Sequence, residues 1–287
     1  MVIVDSHCHV SPCWYEPVES LLYQMDRNGV ERAVLVQMNG QADNRYQFEV
    51  TRRFPGRFTS VAWIRTEGPD ACDKLRRLAD HGIVGVRFSA MTKSPGGDEL
   101  AIWRTAAELG LPVSCGGSSA DFASEQFARV VRAFPELPIV VEHLGGHNYP
   151  GADSLEDRRK VFDLARFPNV YIKVHGLGEF CHRRLPVAES LPFDTPIPPL
   201  LKMAYGAFGA HRMMWGSDYP PVSAREGYRN ALRLTLDQFA SKSEEDRELI
   251  FGRVALSVFG PGRVTPARQA DQTICWRPCL GPRGPMR

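Results

Sequence analysis

Two histidines one residue apart, His7 and His9, follow the branched apolar run Val2-Ile3-Val4 and the polar pair Asp5-Ser6. The apolar run reads as a buried strand that surfaces at its carboxyl end, because β-branched side chains fill a two-sided interior. In an extended chain successive side chains alternate, so the two imidazoles point the same way, roughly 6.5 Å apart, and Cys8 points away. Such a pair can share one metal ion or one substrate. The plainer alternative is two hydrogen-bonded strand-end side chains, and what separates the two is whether other reactive residues reach the same place.

The elements that would bring them there repeat along the chain. Further short apolar runs that read as strands lie at 33–37, 58–65, 83–88, 111–115, 138–143, 169–175 and 213–218. Between and after them, amphipathic stretches predict helices at 18–28, 44–54, 70–81, 100–109, 123–134, 154–167, 200–208, 225–239 and 243–259. Gly29, Gly82 and Gly110 stop three of these helices, and Ser154 with Asp157 resembles a capping box. Pro220-Pro221 forbids continuation of the eighth strand. Eight short strands alternating with helices imply parallel pairing with right-handed crossovers, hence an α/β fold, the single-domain (β/α)8 TIM barrel. Residues 1–262 make that domain, and 263–287 read as a basic, Pro/Gly-rich tail, expected to be mobile. In such barrels the active site lies at the strands' carboxyl ends, and His7, His9, Arg65, Arg87, His143, His175 and Asp218 all fall there.

Composition narrows the partners. With 287 residues and 43% hydrophobic content the chain can bury one large core. A formal net charge of +2 gives no global field favouring nucleic acid or an anionic membrane, so neither is expected as a partner. No apolar run approaches a membrane span and no cleavable leader precedes the first strand, which predicts a soluble, cytoplasmic protein. Seven scattered cysteines suit reduced thiols better than a disulfide framework. Cys8 is expected to face the helices and Cys115 to line the pocket floor; neither has a base beside it in sequence, so a thiol nucleophile is not expected. A homo-oligomer is compatible with this composition but not specified by it.

With the strand ends placed, the sequence resembles the amidohydrolase superfamily, in its amidohydrolase-related branch of barrels without a flanking β-sandwich. Asp5-Ser6-His7-Cys8-His9, Gly85-Val86-Arg87-Phe88, Val141-Glu142-His143-Leu144-Gly145, Val170-Tyr171-Ile172-Lys173 and Trp215-Gly216-Ser217-Asp218-Tyr219-Pro220 carry the resemblance. It implies hydrolases and decarboxylases of small carboxylated or lactone substrates, with the first-strand histidines and the eighth-strand aspartate around a divalent metal. Where metal-dependent relatives carry a fifth-strand histidine or modified lysine, this chain has Ser114-Cys115-Gly116-Gly117. That departure argues against a two-metal site and points to the lactonase-like branch, some members of which resemble metal-independent enzymes.

The expected roles follow. His7, His9 and Asp218 supply two nitrogen ligands and one oxygen ligand to one divalent metal, zinc by donor type, leaving a position for water. Without metal the same groups would hold the water and the substrate carbonyl. Asp218 is the candidate general base, and His143 would polarise the carbonyl, complete the metal shell, or pack behind it. Arg87 and Arg65 could each hold a substrate carboxylate, or pair with a protein carboxylate instead. His175 is either a substrate contact or a buried polar filler. Lactone or ester hydrolysis is the expected reaction; a metal-dependent decarboxylase of an aromatic or muconic acid and a non-catalytic small-acid-binding barrel are the alternatives.

Overall fold

A computed structural model describes residues 1–147, 149–187 and 191–261. The tail expected at 263–287 lies outside the described residues. Eight parallel strands, β1 (Val4–Cys8), β2 (Arg32–Val36), β3 (Phe58–Trp63), β4 (Gly85–Ser89), β5 (Val113–Gly116), β6 (Ile139–Val141), β7 (Val170–Val174) and β8 (Met213–Trp215), pair in sequence order. The expected (β/α)8 TIM barrel is therefore the fold. Among the described residues no helix is long and apolar enough to cross a membrane.

Alternation along each strand sorts the side chains into two cores. Leu35, Val86, Val113, Val141, Ile172 and Trp215 point outward into the layer between strands and helices. Val34, Val36, Val61, Val140 and Met214 point inward, and the helix Val254–Phe259, the last among the described residues, closes the barrel floor with Val254, Val258 and Phe259. Cys115 belongs to the outer layer, fully buried, so it does not line the pocket floor as expected; strand parity turns Ser114 inward in its place. Cys8 faces the helices as expected.

Above the apolar floor the inward positions become polar: Arg87 on β4, Ser114 on β5, Glu142 just past β6 and Lys173 on β7. β2, β3, β6, β7 and β8 end sooner than the apolar runs suggest, whereas β4 and β5 run one residue further. β8 stops at Trp215, because Gly216-Ser217-Asp218 turns away, with Asp218 at φ 56°. Gly216 permits this: a Cβ there would sit 2.7 Å from the His7 Cβ. The seam between β1 and β8 is closed by Asp218 N–H donating to the His7 carbonyl at 2.8 Å and His9 N–H donating to the Tyr219 carbonyl at 2.8 Å.

The helices follow the amphipathic pattern with breaks and shifted ends: the stretch expected at 123–134 is Glu125–Ala133 preceded by a separate turn, Ser119–Phe122; that at 154–167 is Leu155–Phe162 followed by a 3-10 turn, Asp163–Arg166; and that at 225–239 starts at Tyr228. The stretch expected as one helix at 243–259 contains a π turn, Leu249–Arg253, between Glu244–Glu248 and Val254–Phe259. Ser154 and Asp157 form the capping box, each side chain accepting from the other's backbone N–H, at 3.1 and 3.2 Å.

Phe259 is 1% exposed and plugs the barrel's lower end. Phe259→Ala should cost about 3 kcal/mol in urea unfolding, as large-to-small changes in a tight core do, with secondary structure by circular dichroism unchanged.

Candidate active site

The site is built where inward side chains meet the strands' carboxyl ends. His7 and His9 share a side of the chain, their rings 4.9 Å apart and nearly perpendicular. Asp218 comes to both: its Oδ1 lies 3.4 Å from His9 Nε2 and 3.8 Å from His7 Nε2. Its Oδ2 accepts from Arg225 Nη1 at 2.9 Å. His143 and His175 complete a cluster around His7, their ring centroids 5.2 and 5.0 Å from it. His143, like Asp218, has a left-handed backbone, φ 53°. Non-glycine residues rarely adopt that conformation, and such strain gathers at functional sites.

Each imidazole is oriented by its second nitrogen. His9 Nδ1 donates to the Val36 carbonyl at 2.6 Å, and His175 Nδ1 to the Gly216 carbonyl at 2.9 Å. His143 Nδ1 donates to Glu179 Oε1 at 2.8 Å. Their Nε2 atoms are thereby turned toward the cluster, and His7 and His175 Nε2 are buried without a hydrogen-bond partner. Behind them runs a chain of polar contacts. Lys173 Nζ lies 3.0 Å from His7 Nδ1 and donates to Ser114 Oγ at 2.8 Å; Ser114 donates to Glu142 Oε1 at 2.7 Å; Arg87 holds Glu142 Oε2 at 2.6 Å.

Burial and pairing set the protonation states. Burial alone would raise the Asp218 pKa, but His9, His143 and Arg225 outweigh it and hold the carboxyl far below the usual carboxylate range. Glu142 is likewise opposed by burial yet lowered to about 2 by Arg87 and Lys173. Burial pulls Lys173 down to about 8 and His175 to about 4. In His143 burial lowers the pKa and the Glu179 carboxylate outweighs it, so the ring is raised.

These donors suit one divalent cation. The ligand atoms of His7, His9 and Asp218 lie within 4.8 Å of one another. With Nδ1 donating to the Val36 carbonyl, His9 turns Nε2 to Asp218 Oδ1 at 3.4 Å, where a cation or a proton joins the two; a backbone carbonyl on the other nitrogen is how ligating histidines are usually fixed. His7 fits on one condition. An ammonium at Lys173 donates to Nδ1 and leaves the ring proton on Nε2, whereas an amine there accepts from Nδ1–H and frees Nε2 to ligate.

A cavity of about 600 Å³ opens above this cluster, lined among others by His9, Tyr15, Arg87, Glu142, His143 and Asp218. His7 and His175 are fully buried beneath it. Arg87 reaches the wall but is held by Glu142 and by the Gln37 carbonyl, so the pairing with a protein carboxylate is the one adopted. Arg65 is not brought to the site: β3 ends at Trp63, and Arg65 is exposed and outside the cavity lining. His175 packs behind His143, ring centroids 4.5 Å apart, as a buried partner of the cluster.

Glu142, Lys173, Glu179 and Arg225 were not picked out as functional from the sequence. A charge at the inward parity of a branched run, Glu142 after Val140 or Lys173 after Tyr171, is the signal for the first two. Glu179 and Arg225 sit in loops with no periodicity, and only the fold joins them to His143 and Asp218.

The fold and this constellation define an amidohydrolase-type barrel whose site could hold a metal. An amidohydrolase family model matches residues 4–260, and the chain belongs to that family. Among curated relatives it is 26% identical over 266 residues to a 4-sulfomuconolactone hydrolase of Hydrogenophaga intermedia, covering 83% of this chain and 80% of that one. It is 28% identical over 213 residues to an L-fucono-1,5-lactonase of Burkholderia ambifaria, covering 70% of this chain and 69% of that one. Among solved structures, a zinc-bound amidohydrolase from Burkholderia multivorans superposes with a TM-score of 0.70 at 19% identity, covering 91% of this chain and all of that one, which shows the shared fold.

Glu226, behind this site, receives the Gly178 N–H at Oε1 while its Oε2 is buried without a hydrogen bond, 3.8 Å from Arg225 Nε, and burial raises its pKa to about 7. An unfolded glutamate ionises near 4.5, so between about 4.5 and 7 the folded chain holds more protons and its stability falls as pH rises. Glu226→Gln should flatten that fall, so that urea midpoints of wild type and variant diverge between pH 5 and 7, with wild type losing ground.

Proposed function

We propose that the protein hydrolyses the ester bond of a small lactone by water attack on its carbonyl carbon. The observation that carries this is the Asp218 carboxylate, ionised, fixed by Arg225 through one oxygen and presenting the other beside His7 and His9 at the floor of the cavity. The relatives named as lactone hydrolases support the same chemistry.

A water held at Asp218 Oδ1 gives its proton to the carboxylate as its oxygen attacks, a general-base contribution of about 10²–10⁴-fold. His143, its Nδ1 fixed by Glu179, is one-eighth exposed and turns Nε2 to the cavity, where in its protonated form it donates to the developing oxyanion and then to the ring oxygen that leaves. The pKa raised by Glu179 keeps that proton available near neutral pH. Arg225 spans Asp218 and Glu179, 2.9 and 3.7 Å away, and so keeps base and acid in one register. His7, His9 and Asp218 would hold one divalent ion, zinc by donor type, which when bound lowers the pKa of water and polarises the carbonyl.

Asp218→Asn should lower kcat about 10²–10⁴-fold on any lactone the wild type opens, with secondary structure by circular dichroism unchanged; near-normal turnover would sink the assignment. In a calorimetric titration the dialysed protein should take up one zinc ion, and His9→Ala should abolish that uptake. Hydrolysis is read by acid release across a lactone panel. Carbon dioxide release from aromatic acids with no lactone opened would favour decarboxylation instead.

A further inference from the structure

The turn that carries His143 is held in an unfavourable shape. Its backbone is left-handed at three successive residues, His143 at φ 53°, Leu144 at 52° and Gly145 at 73°. Only the glycine adopts that region without cost, and a strained backbone persists where its surroundings over-determine it. Gly145 N–H donates to the Glu142 carbonyl at 2.8 Å and Gly146 N–H to the His143 carbonyl at 3.2 Å, which closes the turn from within.

From outside, the turn is gripped by Arg158, on the helix Leu155–Phe162 that follows it. The residue is 3% exposed. Its Nη1 donates to the His143 carbonyl at 2.6 Å and its Nη2 to the His147 carbonyl at 2.7 Å, so one planar fork spans both ends of the turn. Asp153 balances the charge at 2.9 Å, accepts the His147 N–H at 2.8 Å and is itself held by the Ser119 hydroxyl at 2.5 Å. Both glycines serve this contact. A Cβ at Gly146 would sit 2.5 Å from Arg158 Cζ, and one at Gly145 would overlap Val161, three residues along the same helix face. Arg158 itself stands behind the wall, where it lines a second cavity of about 500 Å³ with Asp153, Tyr149 and Phe180.

We propose that Arg158 is a positioning residue for His143. Resting on the reading of His143 as the proton donor in lactone opening, it holds the left-handed turn so that the ring keeps Nδ1 on Glu179 and Nε2 toward the cavity. Backbone and ring are anchored separately, the first by Arg158 at the carbonyl and the second by Glu179 at Nδ1. Without the fork the turn relaxes toward commoner backbone conformations and the ring is displaced; a shift of about 1 Å in a reacting group costs about 10²-fold in rate. His147, which does line the active-site cavity, keeps its own contacts with Asp153, so the loss falls on kcat rather than KM.

The test compares Arg158→Ala and Arg158→Lys with wild type on a lactone that wild type opens. Lysine keeps the charge beside Asp153 but has no fork, so it isolates geometry from charge. The expected result is a fall in kcat of about 10²-fold for alanine and about tenfold for lysine, with KM within about threefold. Millimolar ethylguanidinium, the fragment that alanine deletes, should enter by the second cavity and raise kcat of that variant about fivefold, whereas propylammonium, of equal charge, should not. In crystal structures of wild type and Arg158→Lys, His143 should leave the left-handed region in the variant. Should alanine fail to fold, the lysine variant carries the test. Wild-type kcat in the lysine variant, a loss confined to KM, or no difference between the two added cations overturns the proposal. If wild type opens no lactone, the lactone reading fails by itself, and the crystal structures then decide: an unmoved His143 turn in Arg158→Lys overturns the positioning role, and a relaxed one upholds it.

Discussion

The barrel is closed by the backbone of its own candidate site. β1 and β8 are joined at the carboxyl end through hydrogen bonds of His7, His9, Asp218 and Tyr219, residues that lie more than two hundred positions apart in sequence. Closing the seam and assembling the imidazole pair with the carboxylate are therefore one event. Gly216 is required there by the approach of β1, and the left-handed turn at Asp218 aims its side chain back across the seam. Asp5 reinforces the same junction from the outer side, accepting from Ser217 N–H at 2.8 Å and from the Tyr228 hydroxyl at 2.9 Å.

A second constraint follows from burying so much charge. Glu142, Lys173, Glu179 and Asp218 are almost wholly inaccessible, and a buried charge without a partner costs several kcal/mol. Each accordingly has an opposite charge or a fixed hydrogen-bond partner, and the pairs join into two chains. One runs from Arg87 through Glu142, Ser114 and Lys173 to His7; the other runs from His143 through Glu179 and Arg225 to Asp218. The first sets which nitrogen of His7 carries a proton. The second pulls the Asp218 pKa down and the His143 pKa up, opposite shifts in adjacent groups, which is the pattern that separates acid from base.

These chains also explain why a local reading of arginines misleads. A guanidinium at a strand's carboxyl end is equally suited to a substrate carboxylate and to a glutamate of the protein. Arg87 meets Glu142 because strand parity turns both inward from β4 and β6, with β5 between them. Arg65 lies two residues past the end of β3, where the chain has already left the barrel wall.

The sequence by itself determined the eight strands, their alternation with helices and hence the barrel, because branched apolar runs and amphipathic periods are local signals that burial rewards wherever they occur. It also placed His7, His9, His143 and Asp218 at one rim, since in a parallel barrel every strand ends on the same face. Only the tertiary structure decided which charges meet. The pairing of Glu179 with His143 and of Arg225 with Asp218 depends on how loops after β7 and β8 fold over the mouth. The strength of each pairing depends on the water excluded around it, and neither loop path nor dielectric is written in residue spacing.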